Sequence, residues 1–214
     1  EGKIRYYGFS FHDDYEVFDE ILHYRDWDFC QIQYNYMDTQ EQAGDKGYAL
    51  AESLGVPLVI MEPIKGGSLA NFSEDINDRF HKMDPDRSVA SYALRWVGSH
   101  PNVKVILSGM STMDQVEDNL KTFQDFSPLS EAEEKEIESI VTELRSRVQN
   151  GCTGCRYCMP CPAGVNIPGN FKVWNDYHMY RTYDHVKWSW EKELKEEEKA
   201  KNCIKCGKCE TLCP

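Results

Sequence analysis

The sequence predicts an α/β protein with a parallel sheet, followed by a separate cysteine-rich helical tail. Three observations predict it. Four strand-like apolar runs alternate with helical patterns over the first ~125 residues, the signature of parallel strand–helix units. Eight of the nine cysteines fall after residue 150. The charge changes at the same point: residues 1–150 carry 14 Lys and Arg against 28 Asp and Glu, and residues 151–214 carry 10 against 8. With 214 residues the chain is long enough for one large domain or two small ones.

The elements follow in order. Ile4–Phe9 reads as a short strand ending in Gly8-Phe9-Ser10. A helix follows, with Val17, Phe18, Ile21 and Leu22 on one face. Phe29–Tyr34 is the second strand. Tyr48–Leu54 closes the second helix, and Gly55 stands at the C′ position that favours glycine. Val56–Met61 is near-continuously apolar, as a strand buried on both faces should be. Val89–Val97 forms a helix, Val103–Leu107 the fourth strand, and about Thr112 to Leu120 another helix. Ser130-Glu-Ala-Glu133 is a capping box. It opens a long helix with Ile137, Ile140, Val141, Leu144 and Val148 on one stripe. A full (β/α)₈ barrel needs ~250 residues. Four units therefore make half of such a barrel, or an open sheet.

Composition excludes several classes. A net charge of −12 argues against nucleic-acid binding. No apolar run approaches the ~18 residues of a membrane span. No signal peptide is visible, and the chain starts with Glu1.

The tail carries the strongest motifs. Cys203, Cys206, Cys209 and Cys213-Pro214 have the spacing C-x2-C-x2-C-x3-C-P, which holds a [4Fe–4S] cluster in bacterial ferredoxins. Cys152, Cys155, Cys158 and Cys161-Pro162 repeat it with one residue fewer before the last cysteine. Three thiolates two residues apart can wrap three corners of a cubane, and the fourth must come from elsewhere. In two-cluster ferredoxins the fourth cysteine serves the other cluster. On that rule Cys152, Cys155, Cys158 and Cys213 take one cluster, and Cys203, Cys206, Cys209 and Cys161 the other. Zinc sites instead use C-x2-C pairs set further apart. A secreted disulfide scaffold would spread its cysteines through a small domain. Crossed ligation would close the tail on itself and staple a module with little core. Between the runs, Asn170–His178 and Val186–Lys201 have helical composition. Trp174, Tyr177, Tyr180, Tyr183, Trp188 and Trp190 read as core and cluster cover.

The strand ends carry a second set of motifs. They read Gly8-Phe9-Ser10, Gln31-Ile-Gln33-Tyr34-Asn35, Met61-Glu62-Pro63-Ile64-Lys65-Gly66-Gly67 and Ser108-Gly109-Met110-Ser111. Together with Gln115, Asp118 and Asn119 these resemble the C-terminal half of the aldo/keto reductase family, over about residues 3–125. The tail resembles the subgroup carrying a fused [4Fe–4S] ferredoxin-type domain. The resemblance implies the second half of a TIM (β/α)₈ barrel in residues 1–126, a linking amphipathic helix in 127–150, and a small, mainly helical dicluster ferredoxin-like domain in 151–214.

The resemblance also implies NAD(P)H at the barrel mouth. Ser10 and Gln31 would hold the nicotinamide carboxamide, which needs both donors and acceptors. Met61 stands where many members place a stacking aromatic, and Glu62 brings a carboxylate beside it. Ser108, Gly109 and Ser111, with the helix N-terminus behind them, would take the adenosine end. Gln115, Asp118 and Asn119 would contact adenine or its ribose phosphate. Gly109 and Gln115 replace basic residues that often read a 2′-phosphate, which leaves NAD and NADP both open. Lys65 would supply charge to the pyrophosphate or stand as a solvated loop lysine.

The family's acid–base tetrad of Asp, Tyr, Lys and His comes from the first four strands, so no catalytic residue is assigned in this chain. Tyr7, Tyr34 and Tyr36 read as barrel packing, and His12 and His23 as surface residues. The expected whole is an oxidoreductase acting on a carbonyl or alcohol in an anaerobe's cytoplasm, with a ferredoxin or flavoprotein as redox partner. The chain reads as a fragment of a longer polypeptide, or as a half-barrel that pairs with another chain. The rival is a non-enzymatic electron-transfer or interaction module in which the barrel half is scaffold.

Overall fold

A computed structural model describes residues 2–214, apart from the side chains of Asp184 and His185. The chain divides into two compact units, Glu1–Val141 and Thr142–Pro214.

The first unit contains β1 (Gly8–Ser10), β2 (Phe29–Gln33), β3 (Leu58–Met61) and β4 (Val103–Ile106). They form one parallel sheet in the order β1-β2-β3-β4. The helices are α1 (Tyr15–Tyr24), α2 (Gly44–Ser53), α3 (Glu74–Met83), α4 (Val89–Gly98), α5 (Met113–Gln124) and α6 (Glu131–Ser146), whose last residues, from Thr142, belong to the second unit. Side chains alternate along each strand. Cys30, Ile32, Leu58 and Ile60 are buried with Phe18 and Leu22 of α1, Tyr48 and Ala51 of α2, and Val97 of α4. Burying each large apolar side chain here contributes roughly 1.5–3 kcal/mol relative to exposure. Ser10, Gln31, Gln33 and Met61 occupy the alternate positions, and the register pairs Ser10 with Gln31 and Gln33 with Met61. Polar residues thus sit on the face away from the helices, at the C-terminal ends of the strands.

Local signals set the helix starts. Ser88 caps α4 by accepting a hydrogen bond from the Ser91 backbone N–H at 3.0 Å. The capping box predicted at Ser130 and Glu133 is formed: Ser130 N–H donates to Glu133 at 2.8 Å, and Glu133 N–H to Ser130 Oγ at 3.3 Å. Gly55 has φ +70° after α2, the left-handed conformation expected of a C′ glycine.

Four first-unit readings change. The first strand is Gly8–Ser10 rather than Ile4–Phe9, and Ile4 is exposed. The sheet's edge strand has only β2 to pair with, so the residues before Gly8 gain no second ladder. Val17 faces solvent, and α1 packs through Phe18, Ile21 and Leu22. Helix α3 is not predicted, because Ile76 and Phe80 alone carry its buried face. Of the tyrosines assigned to packing, Tyr34 and Tyr36 are buried, while Tyr7 is half exposed and stacks on Trp27 at 5.4 Å.

The second unit contains α7 (Ile167–Tyr180), α8 (Tyr183–Trp188) and α9 (Lys208–Leu212). Its core is small: Val173, Val186 and Leu194, with Trp190 against them. The helix predicted over Val186–Lys201 is broken. After α8 come a π turn at Ser189–Glu193 and short 3₁₀ turns at Glu196–Glu198 and Ala200–Asn202. Competing hydrogen bonds explain the break. Asn170 Nδ2 and the Asn166 N–H both donate to the Glu198 carbonyl, at 2.8 and 2.9 Å, and Asn170 Oδ1 accepts from Ala200 N–H at 2.8 Å. The start of α7 therefore captures backbone groups that a continuous helix would keep. The aromatic residues read as core are mostly exposed: Tyr180 is buried, but Trp174, Tyr177, Tyr183 and Trp188 are 53%, 44%, 69% and 56% exposed. Aliphatic packing and asparagine hydrogen bonds hold the unit instead. Among the described residues no helix is long and apolar enough to cross a membrane.

Candidate functional site

The C-terminal ends of β1, β2 and β3 bring three of the predicted cofactor residues into contact. Gln31 Nε2 donates to Ser10 Oγ at 3.2 Å and approaches Met61 Sδ at 3.5 Å. One amide therefore spans three adjacent strands, with its carbonyl oxygen free to serve an amide ligand. Ser10 is exposed and Gln31 and Met61 are partly buried, so the trio opens on the sheet face.

Beside it lies a polar network that strand-end motifs do not reveal. Asn35 is buried; its Nδ2 donates to Asp38 Oδ2 at 3.0 Å and to the Glu62 carbonyl at 3.1 Å. Its Oδ1 accepts from the N–H groups of Met37 and Asp38 at 3.0 Å. Lys65 Nζ donates to both Asp38 oxygens at 2.6 Å. Gln33 donates to Asp38 at 3.0 Å and accepts from Gln42 at 2.8 Å. Lys65 is thus neither a solvated lysine nor an uncommitted charge for a pyrophosphate, because a buried carboxylate already neutralises it. The network fixes the loop after β3, where Glu62, Lys65, Gly66 and Gly67 all have positive φ. Asn35 and Gln33 lie in the quoted β2 motif, but Asp38 and Lys65 are 27 residues apart and only the parallel register joins them.

The loop after β4 gathers a second group. Asn119 Nδ2 donates to Ser108 Oγ at 2.9 Å. Gln115 Oε1 accepts from Ser111 N–H at 2.7 Å and Thr112 N–H at 3.3 Å, and Thr112 Oγ1 accepts from Gln115 N–H at 3.4 Å. This is a capping box on α5. Gly109 is exposed between these residues. Asp118 turns elsewhere, accepting from Ser88 Oγ of α4 at 2.6 Å. Ser108, Ser111, Gln115 and Asn119 form one rim, and Asp118 ties α5 to α4.

In the second unit all eight tail cysteines are free thiols. Cys158, Cys161, Cys203, Cys206 and Cys209 line a cavity of about 300 Å³. Cys161 of the first run therefore shares a wall with the second run. The Cys158 thiol is pushed up by partial burial and by the Cys152, Cys155 and Cys209 sulfurs around it. The donor set, sulfur ringing a cavity, fits iron–sulfur ligation. Among the described residues no three ligating side chains converge on a single metal ion. A cubane holds its sulfurs further apart, because each binds a different iron.

The two cysteine loops share one backbone. In the first, Gly154 and Arg156 flank Cys155 with φ +74° and +64°. In the second, Lys205 and Gly207 flank Cys206 with φ +54° and +72°. Left-handed residues on either side of the middle cysteine turn the backbone N–H groups into a concavity suited to an anionic group. The Lys205 N–H already points to Cys203 Sγ at 3.4 Å. Cys30, by contrast, is buried beneath the sheet, and burial pushes its thiol up to about 12, so it stays an inert core residue.

Comparison with known proteins agrees with this geometry. The family model described as the aldo/keto reductase family matches residues 1–142, and the 4Fe-4S dicluster domain matches residues 151–214. No curated protein matches the chain. Among solved structures, an aldo-keto reductase from Bacillus halodurans (AKR11C1, holo form) is 24% identical with a TM-score of 0.51, over 64% of this chain and 50% of that one. Its apo form is 25% identical with a TM-score of 0.53, over 64% and 51%. An aldo-keto reductase from Klebsiella pneumoniae in complex with NADPH is 18% identical with a TM-score of 0.51, over 65% and 49%. The chain spans about half the length of these structures. Its first unit is a parallel α/β sheet of the kind that forms part of their barrel, and a 4Fe-4S dicluster domain follows it. With the family model matching two thirds of its residues, the chain belongs to the aldo/keto reductase family.

Proposed function

We propose that the first unit holds a nicotinamide cofactor for carbonyl or alcohol oxidoreduction, and that the second holds two [4Fe–4S] clusters that exchange single electrons with a redox partner. The observation that carries the first part is the Gln31 amide, placed between Ser10 and Met61 across three strand ends. When bound, NAD(P)H supplies the hydride chemistry. The chain's own residues orient it. Gln31 and Ser10 hydrogen-bond the carboxamide, Met61 covers one ring face, and the loop pinned by Asn35 and Asp38 keeps Glu62 in place. Ser108, Gly109, Ser111, Gln115 and Asn119 receive the adenosine end, with the α5 N-terminus favouring phosphate. Asp118 assists indirectly by fixing α5 against α4.

For the clusters, Cys152, Cys155, Cys158 and Cys213 serve one, and Cys203, Cys206, Cys209 and Cys161 the other. The cavity lined by Cys158 and Cys161 together with Cys203, Cys206 and Cys209 brings the two runs together, and the division between them rests on the crossed-ligation rule of two-cluster ferredoxins. No residue here is assigned to proton transfer, so turnover rests on the remainder of a barrel, supplied by a longer polypeptide or a pairing chain.

Calorimetry with NADPH and NADH on the intact protein tests the nucleotide site. Gln31→Ala is expected to weaken binding about tenfold, the loss of one or two hydrogen bonds. Asp118→Asn is expected to weaken it far less. Equal effects from both, or no nucleotide binding by the parent protein, would refute the site and favour a scaffold role for this unit.

A further inference from the structure

We infer that the aromatic cavity between α7 and α8 binds a quinone. The inference rests on the dicluster reading for the choice of a redox-active ring, and adds a ligand site to it. The cavity measures about 570 Å³ and shares no lining residue with the cavity of the cysteines. That volume falls in the range of small-molecule sites. Its walls are Phe171, Trp174 and Tyr177 of α7, Tyr183 of α8 and Trp190 of the π turn. The core cluster of the unit is Val173, Val186 and Leu194 with Trp190, and the other four aromatics are exposed. Exposed rings gathered around one hollow mark a binding site rather than packing. Two of the rings are held by neighbours. Lys199 Nζ lies 5.1 Å from the Trp190 ring centroid, and His178 meets Trp174 edge-on at 4.4 Å.

The walls are tied to the first cysteine of each run. Ala200 lines the cavity, and its carbonyl accepts the Cys203 N–H at 3.0 Å. Asn175, next to Trp174 on α7, accepts the Asn150 N–H at 3.0 Å and donates to the Asn150 carbonyl at 2.7 Å. Asn150 Oδ1 in turn accepts the Cys152 N–H at 2.9 Å. The lining selects the chemistry. Aromatic walls stack a flat ring. Of the polar lining residues, Asn170 is taken up by Glu198 and Ala200. Lys187 and Glu191 remain, both exposed and without an ion pair among the described residues. Lys187 donates to a ring carbonyl, and Glu191 accepts from the hydroxyl formed on reduction. A flavin nucleotide would need many more polar partners for its chain and phosphate. A nicotinamide takes up hydride rather than single electrons. A quinone takes up electrons singly. Two of them, one from each reduced cluster, and two protons from water turn it into a hydroquinone, and the clusters are oxidised.

The test uses holoprotein under argon, with iron quantified first. The probe is duroquinone, whose fully methylated ring resists addition of thiols. Equilibrium dialysis against oxidised protein is expected to show one equivalent bound per chain. Durene, the same ring without carbonyls, is expected to bind about tenfold more weakly. Trp174→Ala is expected to weaken duroquinone binding about tenfold, with iron at the parent level. Lys187→Met is expected to weaken it about fivefold and to leave durene unchanged. Lys192→Met, outside the lining, is expected to bind like the parent. Once the clusters are reduced, their reoxidation by duroquinone, read from visible absorbance, is expected to slow in Trp174→Ala by the same factor as binding. Equal affinity for duroquinone and durene would overturn the site, as would parent-like binding by both Trp174→Ala and Lys187→Met. So would a Trp174-dependent dimer, or Trp174-dependent sedimentation with phosphatidylcholine vesicles, in place of quinone binding. Iron-replete protein that binds no duroquinone would overturn the site alone. Absence of iron from the parent protein would overturn the dicluster reading, and the choice of a redox-active ring with it.

Discussion

Glu133 shows how one side chain joins two elements and sets an acid limit. It closes the cap of α6 and receives Arg95 of α4 at 2.6 and 3.1 Å. Arg95 is buried and also donates to the Ser127 carbonyl at 3.0 Å. Burial opposes ionisation of Glu133, but hydrogen bonds from Arg95 and Ser130 outweigh it and hold the carboxyl at about 2 instead of its ordinary 4.5. The group therefore binds its proton less readily folded than unfolded. Its contribution is complete above about pH 4.5 and is lost as pH falls towards 2. Glu133→Gln is expected to cost about 2 kcal/mol at neutral pH, allowing for solvent screening. In thermal unfolding followed from pH 7 to pH 2, the parent is expected to lose more stability across the acidic window than the variant. Parallel profiles would show that the pair contributes nothing through this carboxyl.

At the scale of the element, the paired cysteine loops are the clearest device. Each places left-handed residues before and after its middle cysteine, though one uses Gly then Arg and the other Lys then Gly. Glycine adopts such a conformation freely, whereas a β-branched residue pays roughly 1–2 kcal/mol there. Gly154→Val is therefore expected to open the first loop and lower bound iron towards half, measured against protein after anaerobic reconstitution. Unchanged iron would mean that the loop conformation is not needed for ligation. The polar pin of Asn35, Asp38 and Lys65 works likewise on the loop after β3. It stabilises a run of positive φ values that the loop would not hold unaided.

For the whole molecule, the two units differ in what holds them together. The first has a continuous core beneath four paired strands. In the second, the buried apolar residues are few, Leu144, Val165, Val173, Tyr180, Val186 and Leu194 among them, less apolar burial than a stable domain of its size needs. Cluster ligation then becomes folding energy for that unit. Removing iron with a chelator is expected to raise amide hydrogen exchange across residues 167–212 while β2 and β3 stay protected. Simultaneous loss of protection in both units would show that they fold as one.

Periodicity and spacing determined much of this in advance. Strand alternation, the Ser130–Glu133 cap, the Gly55 stop and the cysteine runs are local signals, since each depends on residues within a few positions of one another. The rim of Ser108, Ser111, Gln115 and Asn119 also lies on one loop and the helix after it, but the resemblance to the aldo/keto reductase family, not periodicity or spacing, singled it out. What only the tertiary structure decided involves partners distant in sequence. The parallel register brought Gln31 between Ser10 and Met61 and set Asp38 against Lys65. Asparagines at the start of α7 broke a helix that composition alone favours. Of the tail's aromatics, Tyr180 is buried and Trp190 packs against the core, whereas Trp174, Tyr177, Tyr183 and Trp188 are left at the surface. Composition records a residue's preference, but burial and long-range hydrogen bonds are set by whatever the fold places opposite it.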